Sequence, residues 1–276
     1  MIANCKLIRN QIEKGIYEEI KGVKSKPSLG VFLIGDNPAS IAYVRNKEKE
    51  CARVGIEFTL YHFNDIDEDD LIYEIKKANN LHDGVMVQLP LPPKFNKDRV
   101  INAIEPDVDV DGLTDINIKS GYRYFVPCTA KGVLLLLDAY NIKCKNSPVV
   151  TIIGRSNLIG RPLLHELEKR NFTTIWCNSH TPTEKLKTLT KVSNMIVSAV
   201  GEPEFLDATY FNDKQVIIDC GYSVIDGKAK GDVCWKQFAD NESMLVTSTP
   251  GGTGILTVTA LLENVMISWN RINSHE

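Results

Sequence analysis

Residues 149–171, VVTIIGRSNLIGRPLLHELEKRN, constrain the fold more than any other stretch. A short apolar run stops at a glycine, and an amphipathic pattern follows at once, which reads as buried strand, tight turn and helix. The same grammar recurs in FTTIWCNSH, SNMIVSAVGEP and KQVIIDCGYS, apolar strands that each end in a turn signal. Strands alternating with helical segments of about ten to fifteen residues predict a parallel sheet with helical crossovers.

The first half repeats the pattern. SLGVFLIG (28–35) suits a buried parallel strand, IEFTLYHF a second, and DGVMVQLPLPP (83–93) a third that breaks into a proline-rich loop. Between the first two, Asn37 is placed to cap a helix with Pro38 at its first position, and Gly55 to end it in a left-handed residue. DIDEDD (65–70) puts acids at the positive end of the next helix, ahead of LIYEIKKANN. Isoleucines 8, 12, 16 and 20 form one stripe of an N-terminal helix, not the unbroken apolar core of a signal peptide. Pro127 leads into a helix joining the halves, and TGILTVTALLENVMISWNRINSHE is one terminal helix whose apolar face returns to the first half. The expected class is α/β: two α/β domains flank a cleft, and the C-terminal one is a Rossmann-type parallel-sheet domain. The boundaries expected are 1–125 with the terminal helix 256–276 for the first domain, and 126–255 for the second.

With 276 residues, 43% apolar, 24% charged and a formal net charge of −3, there is no basic excess for nucleic acid and no span long enough for a bilayer. The seven cysteines form no CxxC pair, which argues against a disulfide framework or zinc site and for reduced thiols in a cytoplasm. Asp107, Asp109 and Asp111 alternate without the glycine-centred pattern of a calcium loop, so no metal is expected.

The glycine turn has the spacing G-x-S-x-x-x-G. Gly154 permits a sharp turn and Gly160 a close helix–strand approach, so that a helix N-terminus can present N–H groups to a pyrophosphate. The same glycines would also serve a parallel sheet with no ligand. An NAD-preferring fold places Asp or Glu about twenty residues past this loop, on the ribose hydroxyls. Here that stretch is TTIWCNSHT (173–181), with no acid, while Arg155 sits in the turn and Ser179 and His180 lie past the second strand. A cation and hydroxyl donors without a carboxylate favour a 2′-phosphate, hence NADP.

PASIAYVRNKEKE (38–50) places Tyr43 and Lys47 four apart, stacked on one helical face. They are either a surface pair or a ring that carries a flat substrate beside an amine that moves its protons. GDNPASIAYVRNKEKECARVGI, GVMVQLPLP, PDVDVDGL, FVPCTAKGVLLLL, GRSNLIGRP, AVGEP, GDV and TPGGTGILT, in this order over nearly the whole chain, resemble the bifunctional methylenetetrahydrofolate dehydrogenase/methenyltetrahydrofolate cyclohydrolase family. The resemblance implies that a hydride passes from methylenetetrahydrofolate to NADP and that the methenyl cation is then hydrolysed to formyltetrahydrofolate. It implies Tyr43 against the folate's aromatic portion, Lys47 as the proton carrier, Gln88 orienting Lys47, and Asp111 on the pterin. Leu89, Gly252 and Ile255 would line the folate. Gly154, Arg155, Ser156, Ile159, Ser179, Val200, Gly201 and Tyr222 would bind the cofactor. A homodimer is the family's usual assembly and is expected here.

The chemistry suits these residue types. Desolvation and a nearby cation disfavour an ammonium, so Lys47 can be neutral for part of the cycle and deprotonate water. Gln88 supplies hydrogen bonds without charge. The sequence departs from the family pattern at Val108 (usually lysine), Ala130 (proline), Asn178 (histidine), and Ser248 and Ile255 (prolines). Losing two prolines predicts a looser loop bordering the folate. Two alternatives stand beside this reading: a shikimate-type NADP dehydrogenase, and a catalytically silent NADP-binding protein.

Overall fold

The computed structural model describes residues 1–119, 121, 122, 124–143 and 148–273. Cys144 and the last three residues of the expected terminal helix lie outside the described residues. The chain divides into two compact units, Gln11–Cys128 with Val258–Glu276, and Met1–Asn10 with Thr129–Thr257.

Along the chain come α1 (Cys5–Ile20), β1 (Ser28–Ile34), α2 (Pro38–Val54), β2 (Glu57–Phe63), α3 (Glu68–Ala78), β3 (Gly84–Val87), and the short helices α4 (Lys97–Ile101) and α5 (Asp115–Lys119). The three strands form a parallel sheet in the order β2-β1-β3, with Leu29 level with Phe58 on one side and Gly84 on the other. The central strand is buried from Leu29 to Ile34, whereas edge strand β2 alternates between exposed and half-buried residues. Phe32, Leu71, Ile75, Val85 and Val100 make the core beneath it. Helix α2 begins and ends where its sequence signals stand. The Asn37 side chain accepts from Ala39 N (2.9 Å) and Ser40 N (3.1 Å), and Gly55 turns the chain at φ 90°.

The second unit holds α6 (Cys128–Ala139, from Thr129 on), β4 (Val149–Ile153), α7 (Gly160–Lys169), β5 (Thr173–Cys177), α8 (Thr183–Val192), β6 (Met195–Ser198), β7 (Val216–Asp219), β8 (Ser223–Ile225), β9 (Lys228–Lys230) and β10 (Leu245–Val246). Its sheet is parallel throughout, in the order β10-β7-β6-β4-β5. Numbered within this sheet, that is 2-1-3-4-5 from the β5 edge, the doubly wound arrangement whose order reverses between β4 and β6. A ligand crevice belongs at the carboxyl ends of those two strands.

Two features had no reading in the sequence. The N-terminus extends the sheet at β10, where Ala3 N donates to Val246 O (2.8 Å) and Val246 N to Met1 O (3.1 Å). The β8–β9 hairpin turns on Asp226 and Gly227, both at positive φ, an Asp-Gly hairpin signal that was present but unread. The terminal helix α9 (Thr253–Asn273) forms as expected. From Val258 onward it packs within the first unit, where Asn264 Nδ2 donates to Val110 O (2.8 Å) and Ser268 Oγ to Asp107 O (3.2 Å). Among the described residues no helix is long and apolar enough to cross a membrane.

Candidate active site

Ser40, Val44, Cys51 and Val54 are the buried positions of α2 that recur every three or four residues. Lys47 occupies the remaining place in that stripe, three past Val44 and four before Cys51, where an apolar residue would ordinarily pack. Its ammonium group therefore reaches inward, and Nζ donates to Gln88 Oε1 at 2.6 Å. Gln88 follows β3 and is buried, its backbone N–H donating to Phe32 O (2.8 Å) and its side-chain Nε2 to Leu89 O (2.7 Å). The amide's N–H₂ side is thus engaged, which leaves Oε1 toward the lysine. Tyr43, one turn before Lys47, is 43% exposed.

Asp111 stands in the same unit, on the segment that follows a bridge between Val85 and Asp109. Burial lowers the Lys47 pKa, opposed by the Asp111 charge. Burial likewise raises that of Asp111, opposed by the Lys47 charge and a hydrogen bond with Cys128. Both groups are pushed toward their neutral forms while each favours the other's ion, so a proton held by one is felt by the other.

Asp109 is the residue of the acidic alternation whose job the sequence did not disclose. Fully buried, it accepts from Gly112 N (3.1 Å), Thr114 N (2.8 Å) and Asn117 Nδ2 (2.9 Å). Those bonds shape the loop that carries Asp111, although burial still pushes the Asp109 carboxyl up to about 6. Val108, where the family pattern usually has lysine, is buried in the core of this unit, and its carbonyl accepts from Val85 N (2.8 Å). Among the described residues no group of three or more His, Cys, Asp or Glu could hold a metal ion.

In the other unit, the β4 end, the glycine turn and the β6 end meet at the topological reversal. Gly154 has φ 118°, and a Cβ there would lie 2.4 Å from Ala199 O. A Cβ on Gly160 would lie 2.2 Å from Gly154 O. Neither position admits a side chain, so backbone lines the crevice and α7 starts against the turn. Ser156 Oγ accepts from Ile159 N (3.2 Å), and Arg155 is exposed. Beyond β5, Ser179 and His180 are exposed and no carboxylate stands in the stretch. Asn178, at a departure from the family pattern, ties this turn by accepting from His180 N (2.9 Å).

The Val200–Gly201 wall of the crevice depends on a residue the sequence flagged only through GDV. Buried Asp232 accepts from Ser198 Oγ (2.6 Å), Val200 N (2.8 Å) and Gly201 N (2.8 Å). Trp176 was missed as well, because an aromatic in a strand reads as packing. Gly252, Ile255 and the exposed Tyr222 belong to this unit too. The loop that departs from the family pattern at Ser248 and Ile255 makes side-chain hydrogen bonds. Ser248 Oγ donates to Pro250 O (3.1 Å), Thr253 Oγ1 to Asp219 O (2.7 Å), and Trp235 Nε1 to Thr249 O (3.1 Å).

Residues 3–111 match the catalytic domain of tetrahydrofolate dehydrogenase/cyclohydrolase, and residues 127–273 match its NAD(P)-binding domain. The chain belongs to this family. The bifunctional protein FolD of Aquifex aeolicus (strain VF5) is 38% identical over 290 residues, covering 100% of this chain and 97% of the relative. A bifunctional dehydrogenase/cyclohydrolase structure from Campylobacter jejuni superposes with a TM-score of 0.91 at 32% identity, over 98% of this chain and 99% of the other. The FolD structure of Trypanosoma brucei, complexed with NADP cofactor and inhibitor, gives a TM-score of 0.91 at 26% identity, over 99% and 98%. Family membership makes this chain a bifunctional dehydrogenase and cyclohydrolase of folate one-carbon metabolism, with an NAD(P)-binding domain. The shikimate-type and silent alternatives lose their support.

Proposed function

We propose that this chain oxidises 5,10-methylenetetrahydrofolate with NADP and hydrolyses the product to 10-formyltetrahydrofolate, using Lys47 as the proton carrier. The observation that carries the reading is the Lys47–Gln88 contact of 2.6 Å, made by a lysine whose burial disfavours its charge. In the hydrolysis, the neutral amine takes a proton from the attacking water, and the resulting ammonium returns it to the leaving ring nitrogen. Gln88 aims the amine without adding charge, and its own orientation is held by the Leu89 carbonyl. Asp111 accepts from the pterin's amino group and ring N–H, a carboxylate matched to two adjacent donors. Tyr43 packs on the folate's aromatic portion beside Leu89, and the family resemblance also assigns Gly252 and Ile255 to folate binding.

The cofactor reading rests on the crevice that side chains would fill, together with Arg155 and the acid-free turn after β5. Gly154, Ser156, Ile159, Val200 and Gly201 would hold the pyrophosphate and ribose, Arg155 and Ser179 the 2′-phosphate, and Tyr222 the far side. NADP, when bound, accepts the hydride. A homodimer in a reducing cytoplasm completes the reading, and sedimentation showing monomer alone would overturn the dimer. The central test is incubation with methylenetetrahydrofolate and either NADP or NAD, following the methenyl chromophore. We expect turnover with NADP at least tenfold more efficient; a clear preference for NAD would reject the cofactor assignment.

A further inference from the structure

β5 is an edge strand, paired on one side with β4, so a large side chain near its carboxyl end can spread over the glycine turn. Trp176 is that side chain. It sits level with Ile152, and its indole Nε1 donates to Gly154 O at 2.7 Å. The Arg155 guanidinium lies over the indole ring, 4.4 Å from its centroid. Among the described residues no acidic side chain pairs with Arg155, so its N–H fork stays available to an anion. Lys185 supplies a second cation. It lines, with Trp176, His180 and Thr181, a cavity of about 420 Å³ at the end of β5. Both Arg155 and Lys185 act electrostatically on the Cys177 thiol, which ends the strand.

We propose that Trp176 is a positioning residue for cofactor choice: its N–H pins the glycine turn, and its ring holds Arg155 where a ribose 2′-phosphate binds. This rests on the NADP reading. The two contacts separate by chemistry. Gly154 belongs to the turn that every dinucleotide meets, so the N–H bond acts on NAD and NADP alike. The Arg155 platform acts only on a ligand with the extra phosphate, because the indole face holds the cation in place while its N–H groups remain for the phosphate.

The test is calorimetric titration of the full chain with 2′,5′-ADP and with 5′-AMP, for the native protein, Trp176→Phe and Trp176→Leu. We expect the native protein to prefer 2′,5′-ADP. Trp176→Leu should lose about two- to fivefold in that preference, the range of an exposed cation–π contact. Trp176→Phe keeps a ring but no N–H, so it should weaken both ligands while holding most of the preference. In steady state, Trp176→Leu should raise the KM for NADP with kcat and the cofactor-free hydrolysis unchanged. A Trp176→Leu variant with the native preference would overturn this inference and leave the NADP reading standing. Equal binding of both ligands by the native protein would overturn the two together. Parallel loss of kcat and hydrolysis would assign Trp176 to structure alone.

Discussion

The two candidate regions solve recognition in opposite ways. Around Lys47, side chains carry the chemistry: an amide oriented on an amine, and a carboxylate that with the amine shifts toward neutrality on burial while each favours the other's ion. Around Gly154, absent side chains do the corresponding job, and backbone groups held by Trp176 and Asp232 form the surface. The difference teaches where each region is vulnerable. The first fails through a lost or altered functional group with the fold intact. The second fails through an added atom with every functional group intact.

The largest expected effect is on the first region. Lys47→Met should lower methenyltetrahydrofolate hydrolysis by about 10²–10⁴-fold, the usual contribution of a positioned acid–base group, while dehydrogenase turnover persists. Loss of the methenyl absorbance at the native rate would break the comparison. Next, Gly160→Ala brings a methyl group against the Gly154 carbonyl, a clash that backbone cannot relieve cheaply. It should raise the KM for NADP by roughly tenfold or more, from about 1–3 kcal/mol of strain, and spare hydrolysis measured without cofactor. Equal damage to both activities would show that the regions are not separable.

A subtler probe places charge where the native site has none. In Gln88→Glu a carboxylate would face the lysine and favour the ammonium form, so the acidic limb of the hydrolysis pH profile, where the amine gives up its proton, should move about 1–3 units upward. A profile that stays put, measured as kcat/KM against pH, would remove Lys47 from the proton-transfer step. The smallest effect concerns stability and joins the two regions. Burial raises Asp109 in one and Asp219 in the other from 3.8 to about 6. Between about pH 4 and 6 the native state then binds more protons than the unfolded chain, so these groups reduce stability as pH rises and are level above that window. Denaturant titrations should show part of this fall missing in Asp109→Asn and, separately, in Asp219→Asn.

Elements governed by local pattern were legible in the sequence. The limits of α2 follow from Asn37, Pro38 and Gly55, and the strands from short apolar runs closed by turn residues. Lys47 was legible too, and more sharply than its spacing from Tyr43 suggests: it interrupts the apolar stripe between Val44 and Cys51. Asp232 and Trp176 were not, because their partners lie on other strands and turns; Asp109 was not, because its partners Gly112, Thr114 and Asn117 gather around it in an irregular loop that carries no periodic pattern. GDV and the acidic alternation marked two of these places without disclosing what the carboxylates hold.

By itself the sequence determined the α/β alternation, the parallel character of the two larger sheets, the glycine turn and the family, because strand and helix periodicities and backbone-permissive residues act over a few neighbours. Tertiary structure alone decided the strand order with its reversal between β4 and β6, the pairing of Met1–Ala3 with β10, and the burial that shifts Lys47, Asp109 and Asp111. Those properties depend on which distant segments exclude water from a group, and no local window of residues contains that information.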